Sequence, residues 1–440
     1  MLIFLLSSSE YSINIDYQKQ VTYNGIEDFT VIERRKHDMS IIIKKFGGTS
    51  LESIQRMRRV ADIIQSCLDR GDQLVVVVSA MGRKGAPYAT DTLIGLCKDI
   101  SGSDISIREM DMLMSCGEII SGVLLVHVLR DCGISAVLLN GAQAGIVTDD
   151  KFSNASVLEV DPKRIQSELE HGRVVIITGF QGITRDGEIT TLGRGGSDTS
   201  AVVIGSALNA GVVEIYTDVE GIMTADPKIQ PNARTIESIN YDEVFQMAET
   251  GAKVIHPRAV EVAKNSNIVL KIKNTLSEGE GTSVGYNRGK DTYNMSKKLI
   301  TAVASKDNVA QVIVNTSDIA IFSEILDEIK AQNISIDMIN FFMVQKAFTV
   351  NSDEVSKIEE TLKKHSAEYT IATECSKVTV IGDRITGIPG VMSRIVTALS
   401  GAGVDILQTT DSHMTISCLI KTEDVKKAVN SLHDEFALYM

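Results

Sequence analysis

The sequence predicts an α/β fold in which a mainly parallel sheet is sandwiched by helices and is followed by two small βαββαβ modules. Three observations predict it. The chain has 440 residues, which is too long for one ordinary hydrophobic core. Strand-like and helix-like segments alternate over roughly 41–285. Beyond that region the chain repeats its own pattern at an offset of seventy residues.

The strands of the first region are short runs of Val, Ile and Leu, a composition typical of strands buried on both faces. Six runs are expected to be strands, at 41–45, 74–78, 136–139, 174–177, 212–215 and 268–272. Helical spacing of apolar residues lies between most of them, for example over 54–68, 200–208 and 241–249. Because parallel strands need crossover connections of this kind, the sheet is expected to be mainly parallel.

The repeat in the second region defines the small modules. Residues 333–336 match 403–406, and residues 347–350 match 417–420. Each copy is expected to fold as strand, helix, strand, strand and helix. The expected organisation is an N-terminal extension over 1–38, a large α/β domain over 39–285, a linker over 286–299, and modules over 300–372 and 373–440. Met39 precedes the first clean strand, so the extension is either not native or a short arm.

Composition excludes some classes of partner. Lys and Arg number 44 against 57 Asp and Glu, a net charge of −13. Nucleic acids and anionic membranes attract basic surfaces, so neither is expected as a partner. No apolar run approaches the ~18 residues of a membrane span. The six cysteines form no C-x-x-C pair, which favours reduced thiols in a cytoplasmic protein, and no residue set predicts a protein-built metal site.

The first candidate site follows the first strand. Lys45 and Phe46 are followed by Gly47 and Gly48, and two glycines after a strand let backbone N–H groups approach a ligand closely. A lysine at the end of the strand makes the loop suitable for a phosphate group. The alternative interpretation is an ordinary tight turn.

The second candidate site is rich in glycine and precedes the helix expected over 200–208. Arg194 could hold a carboxylate with two hydrogen bonds, and Asp198 could orient the lysine or a magnesium ion. The backbone donors for anionic oxygens would be Gly195, Gly196 and Ser197. The alternative is that Ser197 or Asp198 only caps the helix.

Weaker candidates lie at the ends of other elements. Thr217 and Asp218 end a strand and could bind a nucleotide, with Lys228 near its phosphates, or they could simply build a loop. Glu118 lies in the first turn of an apolar helix expected to begin near Met114, where it could offset the helix dipole or bind an ammonium group. Together, two anion-binding loops with cations and acids on one sheet indicate phosphoryl transfer assisted by Mg²⁺.

Seven motifs resemble those of the aspartokinase family, in the order in which that family has them. They lie at 45–50, 77–82, 117–118, 193–198, 217–221, 224–227 and 251–254. The resemblance runs from about residue 41 to the C-terminus. It implies an amino-acid-kinase-like sheet followed by two ferredoxin-like ACT modules, and transfer of the γ-phosphate of ATP to the side chain of L-aspartate, giving 4-phospho-L-aspartate.

The resemblance also implies residue roles. Lys45 would neutralise the transferring phosphoryl group and Asp198 would organise the lysine and the metal. The substrate-binding residues would be Ser79, Thr90, Glu118, Arg194, Gly195, Gly196 and Ser197. The nucleotide-binding residues would be Lys45, Phe46, Gly47, Gly48, Thr217, Asp218, Met223, Lys228 and Lys253. Met223 departs from a frequent tyrosine and Lys228 from a frequent arginine.

Regulation is implied by the paired modules. In the family such modules bind an end-product amino acid at a subunit interface, so a homo-oligomer joined through them is expected. The candidate effector positions are Ser335, Ile336, Ile388, Asp405 and Ile406, which could equally be ordinary strand starts and a turn. The stretch 81–91 resembles the diaminopimelate-sensitive type, although lysine and threonine regulate other members. The implied reaction begins lysine (diaminopimelate), threonine and methionine biosynthesis.

Two alternatives stay open at the level of sequence. One is another enzyme of the same fold, such as an N-acetylglutamate kinase. The other is a catalytically inactive protein that only binds an amino acid.

Overall fold

A computed structural model of the chain describes residues 40–101, 106–252, 254–286, 299–385 and 387–440. The extension expected over 1–38 therefore lies outside the described residues, as does the hypothesis that Met39 is the natural start. Most of the expected linker lies outside them as well.

The first region alternates strands with helices, as its sequence predicts. Its strands are β1 (Ile41–Phe46), β2 (Gln73–Val78), β3 (Ala136–Leu139), β4 (Ile146–Thr148), β5 (Val157–Val160), β6 (Val174–Thr178), β7 (Gln181–Ile183), β8 (Ile189–Thr191), β9 (Val212–Thr217), β10 (Ser238–Ile239), β11 (Val269–Asn274) and β12 (Thr282–Val284). Its α-helices are α1 (Ile54–Leu68), α2 (Thr90–Ser101), α3 (Ile107–Asp131), α4 (Lys163–Glu170), α5 (Gly196–Ala207), α6 (Tyr241–Glu249) and α7 (Pro257–Ser266).

The main sheet has eight strands in the order β10-β12-β11-β9-β1-β2-β6-β3. The six strands from β11 to β3 run parallel to one another. They are the six strands that the sequence predicts, so the expectation of a mainly parallel sheet is confirmed. β12 runs antiparallel to β11 at one edge. A smaller sheet has the strand order β5-β4-β7-β8. Its strands come from the part of the chain between β3 and α5.

Hydrophobic cores cover both faces of the main sheet. In β2, Val75 and Val77 belong to a core that includes residues of α5, while Leu74, Val76 and Val78 belong to a second core with α1 and α3. All five side chains are buried. A strand with both faces covered needs apolar residues at every position, which explains the uninterrupted run in the sequence.

The helix α3 spans 25 residues and is long and apolar enough to cross a membrane by length and composition alone. The sequence analysis expected no apolar run of that length. Half of its most apolar window is buried inside the protein. Two carboxylates of this helix, Asp111 and Glu118, are buried, and the helix packs against β3, β6 and β8. These contacts are those of a core helix.

The second region contains one antiparallel sheet with the order β14-β15-β13-β16-β18-β17. Its strands are β13 (Ala302–Asn315), β14 (Asp337–Phe341), β15 (Gln345–Asn351), β16 (Glu368–Ile381), β17 (Gln408–Asp411) and β18 (Thr415–Lys421). Its helices are α8 (Ile319–Ala331), α9 (Val355–Lys364), α10 (Val391–Gly401) and α11 (Val425–Glu435). β15 and β18 start seventy residues apart, as do α9 and α11, so the sequence repeat is a structural repeat.

The two modules exchange strands, which the sequence analysis did not predict. The second half of β13 pairs with the first half of β16, and the first half, residues 302–306, pairs with residues 377–381. Residues 302–306 therefore complete the second module, although the expected boundary assigned 300–372 to the first. The repeat could not reveal this, because a strand's pairing partner is set by the fold and not by its own sequence.

The second module packs directly on the large domain. Ala302, Ala304 and Ile381 belong to the hydrophobic core that lies on one face of the main sheet. Val303 and Val380 belong instead to the core of the second module. Because neighbouring residues of a strand point to opposite faces, this one pair of strand segments joins both cores.

Candidate active site

Lys45 and Asp198 meet at the carboxyl end of the central strand β1. Lys45 is the second-last residue of β1, and Asp198 lies in the first turn of α5. Nζ of Lys45 lies 2.6 Å from Oδ1 of Asp198, and each side chain is only 12% exposed. Charges shielded from water interact more strongly than charges at a surface. The pair therefore fixes a positive charge at this edge of the sheet.

The neighbouring Lys44 points to the opposite face of the sheet. It forms a buried ion pair with Glu214 and approaches the hydroxyl of Tyr216. Burial alone would lower the pKa of Lys44, but Tyr216 and Glu214 outweigh it and raise the pKa to about 12. The two lysines thus differ in role because consecutive strand residues face opposite sides.

A cavity of about 580 Å³ opens beside the Lys45–Asp198 pair. Most residues predicted to bind substrate or phosphate line it. They are Lys45, Gly48, Ser79, Thr90, Glu118, Arg194, Gly195, Gly196, Ser197 and Asp198. A cavity of this size is typical of small-molecule sites. The residues come from five separate places in the chain: the carboxyl ends of the parallel strands β1 and β2, the helices α2 and α3, and the start of α5.

The glycine-rich segment is the start of α5 and not a loop before it. The sequence analysis expected the helix to begin at Ser200, whereas it begins at Gly196. Gly195 has a φ of +68°, and a Cβ there would lie 2.1 Å from Cβ of His256, so only glycine fits. Gly195 occupies the N-cap without a side-chain hydrogen bond, so neither Ser197 nor Asp198 is the cap. The N–H of Gly196 donates to the carbonyl of Gly193 at 3.0 Å, so the N–H groups that follow it in this first turn are the ones that favour an anion.

Arg194 precedes this turn and is exposed at the cavity. Within the described parts of the chain, no hydrogen bond or ion pair holds its guanidinium. A planar fork of N–H donors left unpaired beside a cavity is suited to a carboxylate. Arg194 is therefore positioned to receive an acid from solution.

Glu118 lies in the middle of α3, not in its first turn. The sequence analysis placed the start of this helix near Met114, but it begins at Ile107. The helix dipole therefore does not explain Glu118. A Cβ on Gly117 would lie 2.7 Å from Cβ of Ala80. The absence of that atom lets α3 approach the loop after β2, where the N–H of Ala80 donates to Oε1 of Glu118 at 2.9 Å.

The second carboxylate oxygen of Glu118 is buried and accepts no hydrogen bond among the described residues. Burial raises the pKa of Glu118 to about 8, against smaller opposing effects of the Ala80 amide and of Lys45. A buried carboxylate with one oxygen that accepts no hydrogen bond, beside a cavity, is suited to an incoming cation.

The nucleotide predictions are less well supported by the arrangement. The side chain of Phe46 is fully buried and stacks on Tyr216 with 4.8 Å between ring centroids. Because alternation along β1 points this ring into the core, the predicted contact of Phe46 with a nucleotide would have to be made by its backbone. The N–H of Gly47 donates to the carbonyl of Tyr216 at 3.1 Å. Hence Gly47 fixes the loop to β9.

The other predicted nucleotide residues lie at or beyond the carboxyl end of β9. Thr217, Asp218, Met223 and Lys228 are outside the lining of the cavity, and Lys228 is exposed. Lys253 lies outside the described residues. The structure therefore brings most of the predicted substrate- and phosphate-binding residues together in one cavity. The predicted nucleotide-binding residues after β9 lie outside it.

Two residues at the site were missed by the sequence analysis. Arg83 lines the cavity and forms an ion pair with Asp218, so it links the loops after β2 and β9. Its position within the stretch 81–91 was the only indication available. Asp111 is buried beneath the cavity and bonds to Ser153 and Thr191. Only its placement one heptad before Glu118 could have suggested it.

Two of the predicted effector positions border a second, smaller cavity. Ser335 and Ile336 line a cavity of about 320 Å³ beside the end of α8. Asp405 is exposed and Ile406 packs on the core of the second module, at the equivalent place in the repeat. Ile388 is exposed in the loop before α10.

Comparison with known families agrees with this architecture. Residues 40–274 match the model of the amino acid kinase family, and residues 370–434 match a model of the ACT domain. Aspartokinase 1 of Bacillus subtilis is 41% identical over 403 residues, which covers 91% of this chain and all of that protein. An aspartokinase of Geobacillus stearothermophilus is 38% identical, with 91% and 98% covered.

Solved structures give the same result. E. coli aspartokinase III in complex with aspartate and ADP superposes with a TM-score of 0.73 at 25% identity, covering 90% of this chain and 99% of the other. The same enzyme in complex with lysine and aspartate gives 0.69 at 26% identity, with the same coverage. By sequence, domain composition and structure, this chain belongs to the aspartokinases of the amino acid kinase family and is a kinase.

Proposed function

We propose that the protein transfers the γ-phosphoryl group of ATP to the side-chain carboxylate of L-aspartate, forming 4-phospho-L-aspartate and ADP. The observation that carries this proposal is the cavity shared by the Lys45–Asp198 pair, the unpaired Arg194 and the buried Glu118. E. coli aspartokinase III, which has the same fold, has been crystallised with aspartate and ADP.

The charges of the cavity match those of a free α-amino acid. Arg194 would bind the α-carboxylate, and the unpartnered oxygen of Glu118 would accept from the α-ammonium group. Ser79, Thr90 and Ser197 would supply further hydrogen bonds. With both ends of the amino acid held, its side-chain carboxylate is directed towards Lys45 and Asp198.

The reaction then needs positioning and charge neutralisation. A carboxylate oxygen of aspartate forms a bond to the γ-phosphorus, and the bond from that phosphorus to the β,γ-bridging oxygen breaks, leaving its electron pair on ADP. The acceptor carboxylate is already ionised at neutral pH, so no general base is required. Lys45 would neutralise charge on the transferring group, and Gly48 with the first turn of α5 would donate to its oxygens.

The residues fit a magnesium ion carried by the nucleotide. The described residues contain no group of three or more His, Cys, Asp or Glu side chains that could hold a metal ion alone. Mg²⁺ usually binds one or two carboxylates together with substrate phosphates. Asp198 would bind the ion together with the phosphates, and the ion would neutralise phosphate charge. The nucleotide would be contacted by Thr217, Asp218, Lys228 and Lys253.

Two alternatives are disfavoured by particular contacts. An N-acetylated substrate presents a neutral amide where Glu118 offers a buried carboxylate oxygen that accepts no hydrogen bond among the described residues. A protein that only binds amino acids does not require the shielded Lys45–Asp198 pair.

A test of the reaction is ADP release in the presence of Mg²⁺ with aspartate, glutamate and N-acetylglutamate as acceptors. We expect aspartate to be preferred over N-acetylglutamate by about a hundredfold in kcat/KM, because a site built for two charges rejects a substrate that lacks one. Glutamate keeps both charges but is one methylene longer, so we expect a preference of about tenfold or more over it. Chelation of Mg²⁺ should abolish ADP release. Equal use of N-acetylglutamate would contradict the assignment of substrate.

Regulation by an amino acid is proposed for the two modules. A solved relative binds lysine as well as aspartate. In this chain the effector would be diaminopimelate, lysine or threonine, end products of the biosynthetic route (also leading to methionine) that begins with this reaction. Ser335 and Ile336 would contact it in the first module, and Ile388, Asp405 and Ile406 are the candidates in the second.

The six free cysteines support a location in the cytoplasm.

A direct contact supports transmission of such a signal. Thr224 belongs to the loop after β9, and its hydroxyl lies 3.0 Å from Nε2 of His433 in α11. The N–H of Val303 donates to the carbonyl of Thr224 at 2.9 Å. Ala225 is buried in the hydrophobic core of the second module. A movement of that module would therefore displace the loop that follows Asp218.

The first module offers a surface for a second copy of the chain. Its edge strand β14 and the following turn expose a contiguous set of large apolar side chains. These are Phe341, Phe342, Met343 and Val344. Exposed patches of this kind usually mark an interface. We therefore propose that the protein is a homo-oligomer joined through this edge.

Thr224→Val tests the coupling, because it removes the hydroxyl that contacts His433 and keeps the side chain's shape. Among diaminopimelate, lysine and threonine, at least one should inhibit the parent protein. The variant should need about a fivefold or greater change in effector concentration for half inhibition. Inhibition curves from a coupled ADP assay, with sedimentation velocity on the same samples, give both quantities. No response to any of the three would exclude the sensor role.

A further inference from the structure

Asp111 is a buried carboxylate that the proposed chemistry does not use. It lies on α3 seven residues before Glu118, which places the two carboxylates on the same face of the helix. Its side chain has no exposed surface. An acid buried this completely requires hydrogen-bonding partners.

Asp111 has four donors, and all of them come from two residues. The N–H and the hydroxyl of Ser153 donate to Oδ1 at 3.0 Å each. The N–H of Thr191 donates to Oδ2 at 2.7 Å, and its hydroxyl donates to Oδ1 at 2.9 Å. Both residues are distant from Asp111 in sequence. Asp111 therefore ties α3 to two other segments.

Both segments border the cavity. Ser153 lines it and has a φ of +64°, a strained conformation for a residue with a side chain. Thr191 ends β8 and lies three residues before Arg194. The next residue after Ser153, Asn154, packs against Gly193 so closely that a Cβ on that glycine would lie 2.9 Å from Oδ1.

Arg258 holds the same segments from the other side. Its guanidinium donates to the carbonyl of Leu192 at 2.9 Å and to Oδ1 of Asn154 at 3.1 Å. The turn that carries Arg194 is thus held between Asp111 and Arg258. Arg194 itself has no such support among the described residues, so its position depends on this turn.

We propose that Asp111 is a positioning residue for the acceptor: it fixes Ser153 and the turn that carries Arg194 so that the α-carboxylate of the amino acid is bound in a productive orientation. The inference rests on the proposed function. Asp111 does not touch the substrate; it acts through Arg194 and through the backbone of Ser153.

Asp111→Asn is the direct test, because the amide keeps the shape but turns an NH₂ group towards N–H and O–H donors. The KM for aspartate should rise by about tenfold or more, since small displacements of binding groups have large effects. The KM for ATP and kcat should stay within about threefold, which separates acceptor binding from general damage. Initial rates at varied aspartate and varied ATP give all three values.

Glu168→Gln is the matched control. Glu168 is also a buried carboxylate of this domain, but it lies on α4, it is paired with Arg164 and Arg173, and it does not line the cavity. Its loss should lower the thermal midpoint and leave the KM for aspartate unchanged. If Asp111→Asn lowers the thermal midpoint while the KM for aspartate is also unchanged, the positioning role is overturned.

Milder variants decide the question if Asp111→Asn does not fold. Thr191→Val and Ser153→Ala each remove one hydroxyl donor, and each should raise the KM for aspartate without changing the KM for ATP. Unchanged values in both would overturn the inference. Failure of the unaltered protein to phosphorylate aspartate would overturn the proposed function instead, and the two results are therefore distinguishable.

Discussion

Replacing Lys45 with alanine should lower kcat by about a thousandfold, the scale of losing a preorganised charge that stabilises a transferring phosphoryl group. The effect is expected to be large because Lys45 is shielded from water and is held 2.6 Å from Asp198. Its removal also leaves the buried carboxylate of Asp198 unpaired in the cavity. Single-turnover ADP formation at saturating ATP and aspartate measures the loss.

The neighbouring lysine provides a control on the same strand. Lys44→Gln combined with Glu214→Gln removes a buried lysine together with its partner carboxylate, so no charge is left unpaired. This double variant should keep kcat within about threefold of the parent value. A Lys45→Ala protein that folds and retains full activity would contradict the role assigned to Lys45.

Glu118→Gln should raise the KM for aspartate by about a hundredfold at pH 9, the scale of one hydrogen bond between charged groups in a buried site. The effect should shrink as the pH falls. With a pKa of about 8 in the free protein, Glu118 is mostly protonated at pH 7, and only its ionised form attracts an ammonium group. The KM of the parent protein should therefore fall between pH 7 and pH 9, and that of the variant should change less.

The stability of the folded protein should also depend on the proton of Glu118. It should be greater at low pH, whereas binding of aspartate should be tighter at high pH. The ordinary pKa of a glutamate is 4.5, whereas that of the folded protein's Glu118 is about 8. Between these values the folded state keeps a proton that the unfolded state releases. The free energy of unfolding should then fall as the pH rises, by up to about 1.4 kcal/mol per pH unit, and Glu118→Gln should lack this component. Urea unfolding at pH 5.5 and pH 8 measures it; identical slopes in both proteins would contradict the burial of an uncompensated carboxylate.

The strands of the main sheet could be predicted from sequence because burial on both faces leaves an unmistakable run of apolar residues. The Lys45, Arg194 and Asp198 cluster could be predicted for a related reason. Lys45 lies at the end of a predicted strand, and the glycine-rich segment with Arg194 and Asp198 leads into a predicted helix; both are places where backbone N–H groups commonly bind anions. Periodicity and topology together were sufficient for this part.

Other features depend on contacts between distant segments and leave no local pattern. The start of α5 at Gly196 depends on the close packing of Gly195 against His256. Phe46 follows a functional lysine in sequence, but the alternation of β1 buries it against Tyr216. Asp111 is only an acidic residue in an apolar helix until Ser153 and Thr191 are placed beside it.

The strand segment 302–306 has a consequence for how the two small modules are assembled. Lys306 and Lys377 lie directly opposite each other in an antiparallel ladder. Most of the chain between them forms the first module, which is thus nested inside the second, and a short hairpin turn would span the gap left by its excision. The second module cannot be removed in the same way, because its strand segment 302–306 precedes the first module in the chain and the rest of it follows. The first module could thus be removed as a unit, whereas removal of the second would uncover part of the hydrophobic core of the large domain, to which Ala302, Ala304 and Ile381 belong.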